Sequence, residues 1–256
     1  YVRDKYGYNT GSWTSFPADK NNYKLLARLD WNITNQHHLS LRYNYTKNQN
    51  WLAPNASSMD GGTRSAYART SEMAMAYANT MYSMDNNVHS FSFDLNSRFS
   101  NDLSNQLLVT YSKLDDVRGT NSSEFPFIDI LDGNGTNYIS LGEELFTYNN
   151  AVHNNVWNAK DDVTWYLGNH KLLGGVSFEH QMADNSYMRN GTGYYRYKTL
   201  DDFLNGRTPE IVALTYGYNG EENPTARVQY SKVGLYLQDE WLATRNLKLT
   251  YGLRLD

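Results

Sequence analysis

Gly234-Leu-Tyr-Leu-Gln-Asp-Glu-Trp241, a break at Leu242-Ala-Thr-Arg-Asn246, and Leu247-Lys-Leu-Thr-Tyr-Gly-Leu-Arg-Leu-Asp256 make up the last stretch of the chain. In its second arm Leu247, Leu249, Tyr251, Leu253 and Leu255 share one parity; Lys248, Thr250, Gly252, Arg254 and Asp256 share the other. Successive side chains of a strand point to opposite faces, so this alternation predicts a strand with one apolar and one polar face. The alternation runs to Asp256 with no turn or cap behind it, and the strand is expected to continue into further strands.

The same two-armed unit recurs three times upstream. Leu25, Ala27, Leu29 and Trp31 alternate with Lys24, Arg28 and Asp30, then Leu39, Leu41, Tyr43 and Tyr45 with Ser40, Arg42 and Asn44. Phe91, Phe93, Leu95 and Phe99 oppose Ser92, Asp94, Asn96 and Arg98, and Leu107, Val109 and Tyr111 return. Trp157, Ala159, Val163 and Trp165 oppose Asn158, Lys160, Asp162 and Thr164; Leu172, Val176 and Phe178 return after Gly168-Asn169, a tight-turn dipeptide. Four hairpins are thus expected near 23–48, 88–117, 155–184 and 227–256. Between them lie long segments near 49–87, 118–153 and 185–226, rich in Gly, Pro and Asn. An Ala/Met/Tyr-rich piece at 65–84 fits a short helix or a strand extension equally. It is read as loop with local structure.

Loops of that length are uncommon inside compact domains. Here all three fall on one end of the hairpins, and the short turns on the other. A soluble β-sandwich spreads shorter loops over both ends. Short turns at one rim, long loops at the other and alternating strands of about ten residues are the pattern of an outer-membrane barrel. The expected fold is therefore all-β: a transmembrane antiparallel up-and-down β-barrel, with about eight strands of a larger barrel over residues 1–256 and long extracellular loops.

Composition agrees. Mean hydropathy is −0.70 and no apolar run is long enough for a membrane helix, yet alternating strands cross a bilayer at low mean hydropathy. With 22 Tyr and 6 Trp in 256 residues, the chain has aromatics to spare for girdles at two interfaces. A net charge of −4 gives no basic surface for nucleic acid, and the lack of cysteine removes disulfides, zinc–thiolate sites and a thiol nucleophile. Tyr1 is not an initiator and no apolar leader follows, as in a mature, exported or truncated chain.

Trp31, Trp165 and Trp241 each precede a short turn, and Phe99 takes that place in the second hairpin. They are the candidate membrane-interface aromatics, on the periplasmic side. Arg28, Asp30, Arg42, Asp94, Arg98, Lys160, Asp162, Glu179, Glu240 and Arg254 fall on polar faces. Burying these charges inside a small closed barrel is prohibitive; in a wide, water-filled or plugged lumen they are solvated or paired. They are the candidate lumen-facing charges. Leu26, Leu108 and Leu173 break the pattern on the polar face, and Asp161 and Asp239 on the apolar one. The two aspartates are expected towards a rim or a protein contact.

Leu235-Tyr-Leu-Gln-Asp-Glu-Trp241 with Asn246-Leu247 and Leu249-Thr-Tyr-Gly-Leu-Arg-Leu-Asp256 resembles a barrel hairpin of TonB-dependent outer-membrane receptors. Phe125-Pro-Phe-Ile-Asp-Ile130, Tyr138-Ile-Ser-Leu-Gly142 and Thr199-Leu-Asp-Asp-Phe-Leu-Asn-Gly206 look like the Oar-like branch of that family. The resemblance implies a barrel of 22 strands, a plug domain ahead of it and coupling to a TonB-type periplasmic partner. Neither plug nor coupling box is found in residues 1–256. The implied partners are thus outer-membrane lipid, the plug, the remaining strands and, through a segment elsewhere, the coupler.

Other chemistry is weaker. Asp132-Gly-Asn-Gly-Thr136 to Glu143 has oxygens at EF-hand spacing, but Asn137 stands where glycine is needed and no flanking helices are evident; Asp-Gly-Asn-Gly is also plain turn chemistry. The six histidines form no His-x-x-x-His pair, and adjacent acids such as Asp161-Asp162 point to opposite faces of a strand. No catalytic, metal or cofactor site is expected, and the chain is not read as an enzyme. Trp13, Trp51, Tyr67, Tyr77, Tyr187, Tyr194, Tyr195, Tyr197, Tyr216 and Tyr218 give the loops rigid aromatics, which suit sugars or peptides, or packing of loop on loop. The leading expectation is energy-coupled passage of a large ligand: peptide, glycan or chelate. Alternatives are a non-transporting surface, adhesion or assembly protein, and a soluble carbohydrate-binding or hydrolytic β-domain.

Overall fold

A computed structural model describes residues 1–60, 63–66 and 68–256, without the side chains at 58–60 and 63–66. Gly61, Gly62 and Tyr67 lie outside the described residues. Eight long strands pair in chain order as one antiparallel meander. They are β1 (Lys20–Asn32), β2 (His37–Leu52), β3 (Tyr82–Arg98), β4 (Leu103–Thr120), β5 (Ala151–Leu167), β6 (His170–Ser186), β7 (Thr225–Thr244) and β8 (Leu247–Leu255). All four short turns are at one end of this wall. Among the described residues β1 and β8 each keep one unpaired edge.

The wall strands are longer than the apolar alternation predicts. Tyr82–Asn87 and Asp115–Thr120 remain in register above the second hairpin, and Ala151–Asn154 lie against Ala183–Ser186 above the third. Alternation breaks there because polar and apolar side chains mix on each face, Tyr82 and Met84 falling on the side that is polar lower down, but ladder hydrogen bonds need no apolar side chain. Polar pairs join neighbouring strands instead, His153 to Asp115 at 2.6 Å and Arg227 to Asp184 at 2.6 Å.

The long loops are not separate excursions. They contribute a second, five-stranded sheet, in the order 211–213, 194–197, 127–131, 137–141 and 75–76. Each of the three loops supplies at least one strand. The expected piece at 65–84 holds, among the described residues, the end of the strand Thr63–Ala66, the strand Met75–Ala76, one helical turn, Ala78–Thr80, and the first residues of β3, so its upper end extends a wall strand. Two short helices flank this cap: α1 (Val2–Tyr6) and α2 (Leu200–Leu204), the latter begun by Thr199, whose Oγ1 accepts from the Asp202 N–H at 3.1 Å.

The core lies in the cap, not in the wall. Ile128, Ile130, Leu141 and Phe203 form one buried cluster, with Val2, Tyr77, Phe125, Ile139 and Tyr197 around it. Phe127, Leu145 and Tyr194 form another on the opposite side of the sheet. The wall shows open surface on both faces: every residue of β1 and of β8 is exposed.

Candidate functional site

The register joins the apolar positions of the eight wall strands into one face. One row runs Trp31, Leu39, Leu95, Leu107, Asp161, Val176, Leu235, Leu255, with one residue from each strand. A neighbouring row runs Leu29, Leu41, Phe93, Val109, Ala159, Phe178, Val233. Trp31, Phe99, Trp165 and Trp241 all fall at the turn end, and Trp241 stacks on His170 at 5.6 Å between ring centroids.

A second aromatic row closes the apolar band on the loop side. Tyr43, Phe91, Tyr111 and Trp157 sit opposite one another on four adjacent strands, with successive ring centroids 4.7, 6.5 and 4.5 Å apart. Phe91 and Phe99, like Trp157 and Trp165, stand eight positions apart. At about 3.4 Å per residue that is about 27 Å along the strand. With a strand tilt of about 40°, the two rows lie about 21 Å apart, close to the height of a barrel's apolar band.

All ten predicted charges stand on the other face. Arg28 and Arg42 begin a row that continues through Ser92, Thr110, Asn158 and Glu179. The next position towards the turns brings Asp30, Asp94 and Lys160, and the one after it Asp162 and Arg254. Arg98 and Glu240 lie nearest the turns. Most are paired: Arg28 with Asp30 at 2.8 Å, Lys160 with Asp162 at 2.6 Å, Glu240 with Lys248 at 3.2 Å, and Arg254 with Asp256 at 2.6 Å. Asp94 accepts from Asn96 at 2.9 Å and Gln106 at 3.0 Å; Glu179 accepts from the Tyr230 hydroxyl at 3.1 Å. Tyr236 reaches across Gly175 to bond Asp162, and a Cβ at residue 175 would collide with both side chains. Glycine there is what lets the phenol lie flat against the wall.

The two acids on the apolar face are held by neighbours, though Asp239 Oδ1 is buried without a partner. Asp161 accepts from Asn105 at 2.6 Å; Asp239 is bonded by His170 at 2.7 Å and Tyr251 at 2.8 Å. Both lie in the half of the wall nearer the turns.

The cap is pinned by a buried ion pair. Arg69 and Asp129 are both 0% exposed and approach to 2.7 Å. Asp129 also accepts from Ser140 at 2.6 Å and Tyr194 at 2.9 Å, and the Arg69 guanidinium reaches the Asn55 and Ser57 carbonyls. Arg69 comes from the first long loop, Asp129 and Ser140 from the second, Tyr194 from the third. Each added donor offsets part of the cost of burying the carboxylate. Beside this network Glu144 accepts from Phe146 N–H, Thr147 and Arg118. Glu143, 4% exposed, has no partner at Oε2; burial first, then the negative charges of Glu124 and Glu144, push its carboxyl up to about 7.

A family model described as an outer membrane beta barrel domain matches residues 4–256. The chain belongs to this family of outer-membrane barrel domains. Its place is the outer membrane. No curated protein sequence matches the chain. Among solved structures, the outer membrane transporter YddB from Escherichia coli aligns over 92% of this chain and 33% of its own, with 13% identity and a TM-score of 0.49. The barrel domain thus spans about a third of that chain's length. No helix among its described residues is long and apolar enough to cross a membrane.

The loop aromatics of this barrel domain divide by environment. Tyr194 is fully buried and Tyr77, Tyr195 and Tyr197 pack into the cap core, whereas Trp13, Tyr187, Tyr216 and Tyr218 are exposed. Trp51 belongs to β2, and Tyr67 is outside the described residues. The Asp132–Glu143 oxygens do not converge. Asp132 caps a turn, taking the Asn134 and Thr136 N–H groups at 2.8 and 3.0 Å, Asn137 sits in a strand bonded to Ser140, and Glu143 lies past that strand's end. Sequence reading missed the upper aromatic row and the Arg69–Asp129 network. Tyr43, Phe91, Tyr111 and Trp157 were visible as apolar-face residues, but their common level emerges only from the register. Arg69 carried no signal, since its partners are distant in sequence.

Proposed function

We propose that residues 1–256 are a stretch of the wall of a TonB-dependent, Oar-like transporter, whose work is energy-coupled passage of a large ligand. The observation that carries this reading is the polar face. Ten charges and their hydrogen-bond partners spread across all eight strands need a lumen wide enough for water or a plug. A closed eight-stranded barrel has only room for its own side chains. In this reading the apolar face meets lipid between two aromatic girdles, with Trp31, Phe99, Trp165 and Trp241 at the periplasmic interface. The ten charges line the lumen, and the cap is extracellular. Plug, remaining strands and coupling segment lie outside residues 1–256. The domain takes no cofactor and performs no catalysis; it binds, admits and excludes.

Residues 1–256 carry no cysteine, so an introduced thiol is the one labelling site of this stretch, and the full-length protein without an introduced cysteine serves as the background control. Single cysteines are placed in the full-length protein at Ser92 (S92C) on the polar face, at Phe93 (F93C) on the apolar face, at Tyr218 (Y218C) in the third loop and at Asn246 (N246C) in a short turn. A water-soluble, membrane-impermeant maleimide should label Y218C on intact cells, N246C only after permeabilisation, S92C in purified protein, and F93C poorly in lipid. Labelling of F93C in preference to S92C would overturn the facial assignment. Retention of the detergent-solubilised protein on the immobilised periplasmic domain of a TonB-type coupler supports transport; failure to bind leaves the adhesion or assembly reading.

A further inference from the structure

The strand Ile211–Ala213 is an outer strand of the cap sheet, with one edge unpaired among the described residues. Natural edge strands are usually short, charged or covered, because an open ladder recruits another strand. This one is short and ends where the Thr215 N–H donates to the Asn190 carbonyl at 3.3 Å, but among the described residues the chain around it carries exposed apolar side chains and no charge from Ile211 to Asn219. Val212, Leu214 and Tyr216 are 58, 60 and 80% exposed and alternate as an apolar stripe along the strand and the segment after it; Tyr218, 83% exposed, opens a 3₁₀ turn, Tyr218–Gly220. Ile211 and Ala213 turn the other way and pack on the Phe127–Tyr194 cluster, which fixes the edge in place. At the end of the stripe the chain doubles back. The Glu221 carbonyl occupies the space a Cβ on Gly217 would need, which brings Glu221 against the tyrosine pair. Glu221 and Glu222 are exposed and make no ion pair among the described residues.

We propose that this edge, at the loop end of the barrel domain, captures an extended cationic peptide by β-strand addition. Backbone groups of the edge supply the ladder. Val212, Leu214 and Tyr216 supply contacts for alternate apolar side chains, Tyr218 adds an aromatic face at the turn, and the two glutamates select lysine or arginine. A second copy of the chain brings the same glutamates, and like charges disfavour it as the occupant. An anionic lipid surface is disfavoured for the same reason. The proposal stands on the cap alone and does not require that the wall transports anything.

The test is fluorescence anisotropy on the full-length protein in a non-ionic detergent. Three labelled nine-residue peptides are compared: alternating Lys and Val, alternating Glu and Val, and the Lys/Val peptide N-methylated at every second amide. The unmodified Lys/Val peptide is expected to bind at least about tenfold more tightly than either control, with an affinity that falls as salt rises. The double variant E221Q/E222Q should lose most of that advantage and its salt dependence. Y216S/Y218S, which alters only exposed side chains, should weaken binding at least about threefold without disturbing the fold. Equal binding of the N-methylated peptide excludes strand addition. Equal binding of the acidic peptide, unchanged affinity in both double variants, or no binding of the Lys/Val peptide overturns the proposal.

Discussion

Replacing Glu143 by glutamine should make the cap more stable at alkaline pH. The carboxyl is 4% exposed, Oε2 has no hydrogen bond, and its pKa stands at about 7 against an ordinary 4.5. Between those two values the folded cap holds a proton that the opened cap releases. Stability is therefore full below pH 4.5 and is lost as pH rises towards 7. A shift of that size comes to about 3 kcal/mol. Glutamine removes the titration, but its buried amide brings N–H donors that need partners, at about 1 kcal/mol or more. The net gain at pH 8 is then about 2 kcal/mol, or about thirtyfold in local opening. Amide hydrogen exchange over residues 122–150 reads this directly, with wild type and E143Q compared at the same pH so that intrinsic rates cancel. At pH 8 the variant should exchange about thirtyfold more slowly; at pH 4, where both side chains are neutral, it should be no better protected. Equal protection at pH 8, or wild-type protection that rises from pH 5 to pH 8, would refute the reasoning.

Three further outcomes are expected. R69M leaves Asp129 buried with only Ser140 and Tyr194 as side-chain partners, and should cost about 3–5 kcal/mol of cap stability, seen as faster proteolysis of the loops, with R69M/D129N recovering much of it. F93R puts a charge within the apolar band and should destabilise folding into lipid vesicles by about 2–4 kcal/mol in urea titrations, while S92R on the opposite face should cost much less. G142A should open the cap, because Gly142 has φ +101° and a Cβ would strike the Pro126 carbonyl; G135A, at φ +94° with free space around it, should cost only about 1 kcal/mol, and circular dichroism melts of the two variants should differ accordingly.

The wall was legible because its code is local. Alternation at Leu247–Leu255 or Phe91–Phe99 reports which face each residue takes without reference to any other strand. Its height was underestimated because strands such as β3 continue through Tyr82–Asn87, where Tyr82 and Met84 fall on the face that is polar lower down and the pattern loses its phase. The cap was hidden for a different reason. Phe127–Leu131 and Tyr138–Leu141 are short apolar runs of the kind that buried strands carry, yet their partners Tyr194–Tyr197 and Met75–Ala76 come from other loops. Gly, Pro and Asn around them read as loop, and no local pattern shows that three loops share one sheet. The ten charges were placed on the right face for the same local reason that the wall was; their pairings, such as Tyr236 over Gly175 to Asp162, depend on register.

The parallel ladders between loops have a kinetic consequence. Each hairpin of the wall can zip from its own short turn, since its contacts are near neighbours in sequence. The cap cannot. Phe127–Leu131 meets Tyr194–Tyr197 only after the intervening β5 and β6 have brought both loops to the same rim. Its closure entropy must be met before its contacts reward it. The cap is therefore expected to form last. A wall assembled with one hairpin shifted would present these segments at mismatched heights, and the Arg69–Asp129–Tyr194 meeting point would not close. Completion of the lid thus acts as an inspection step on the barrel beneath it.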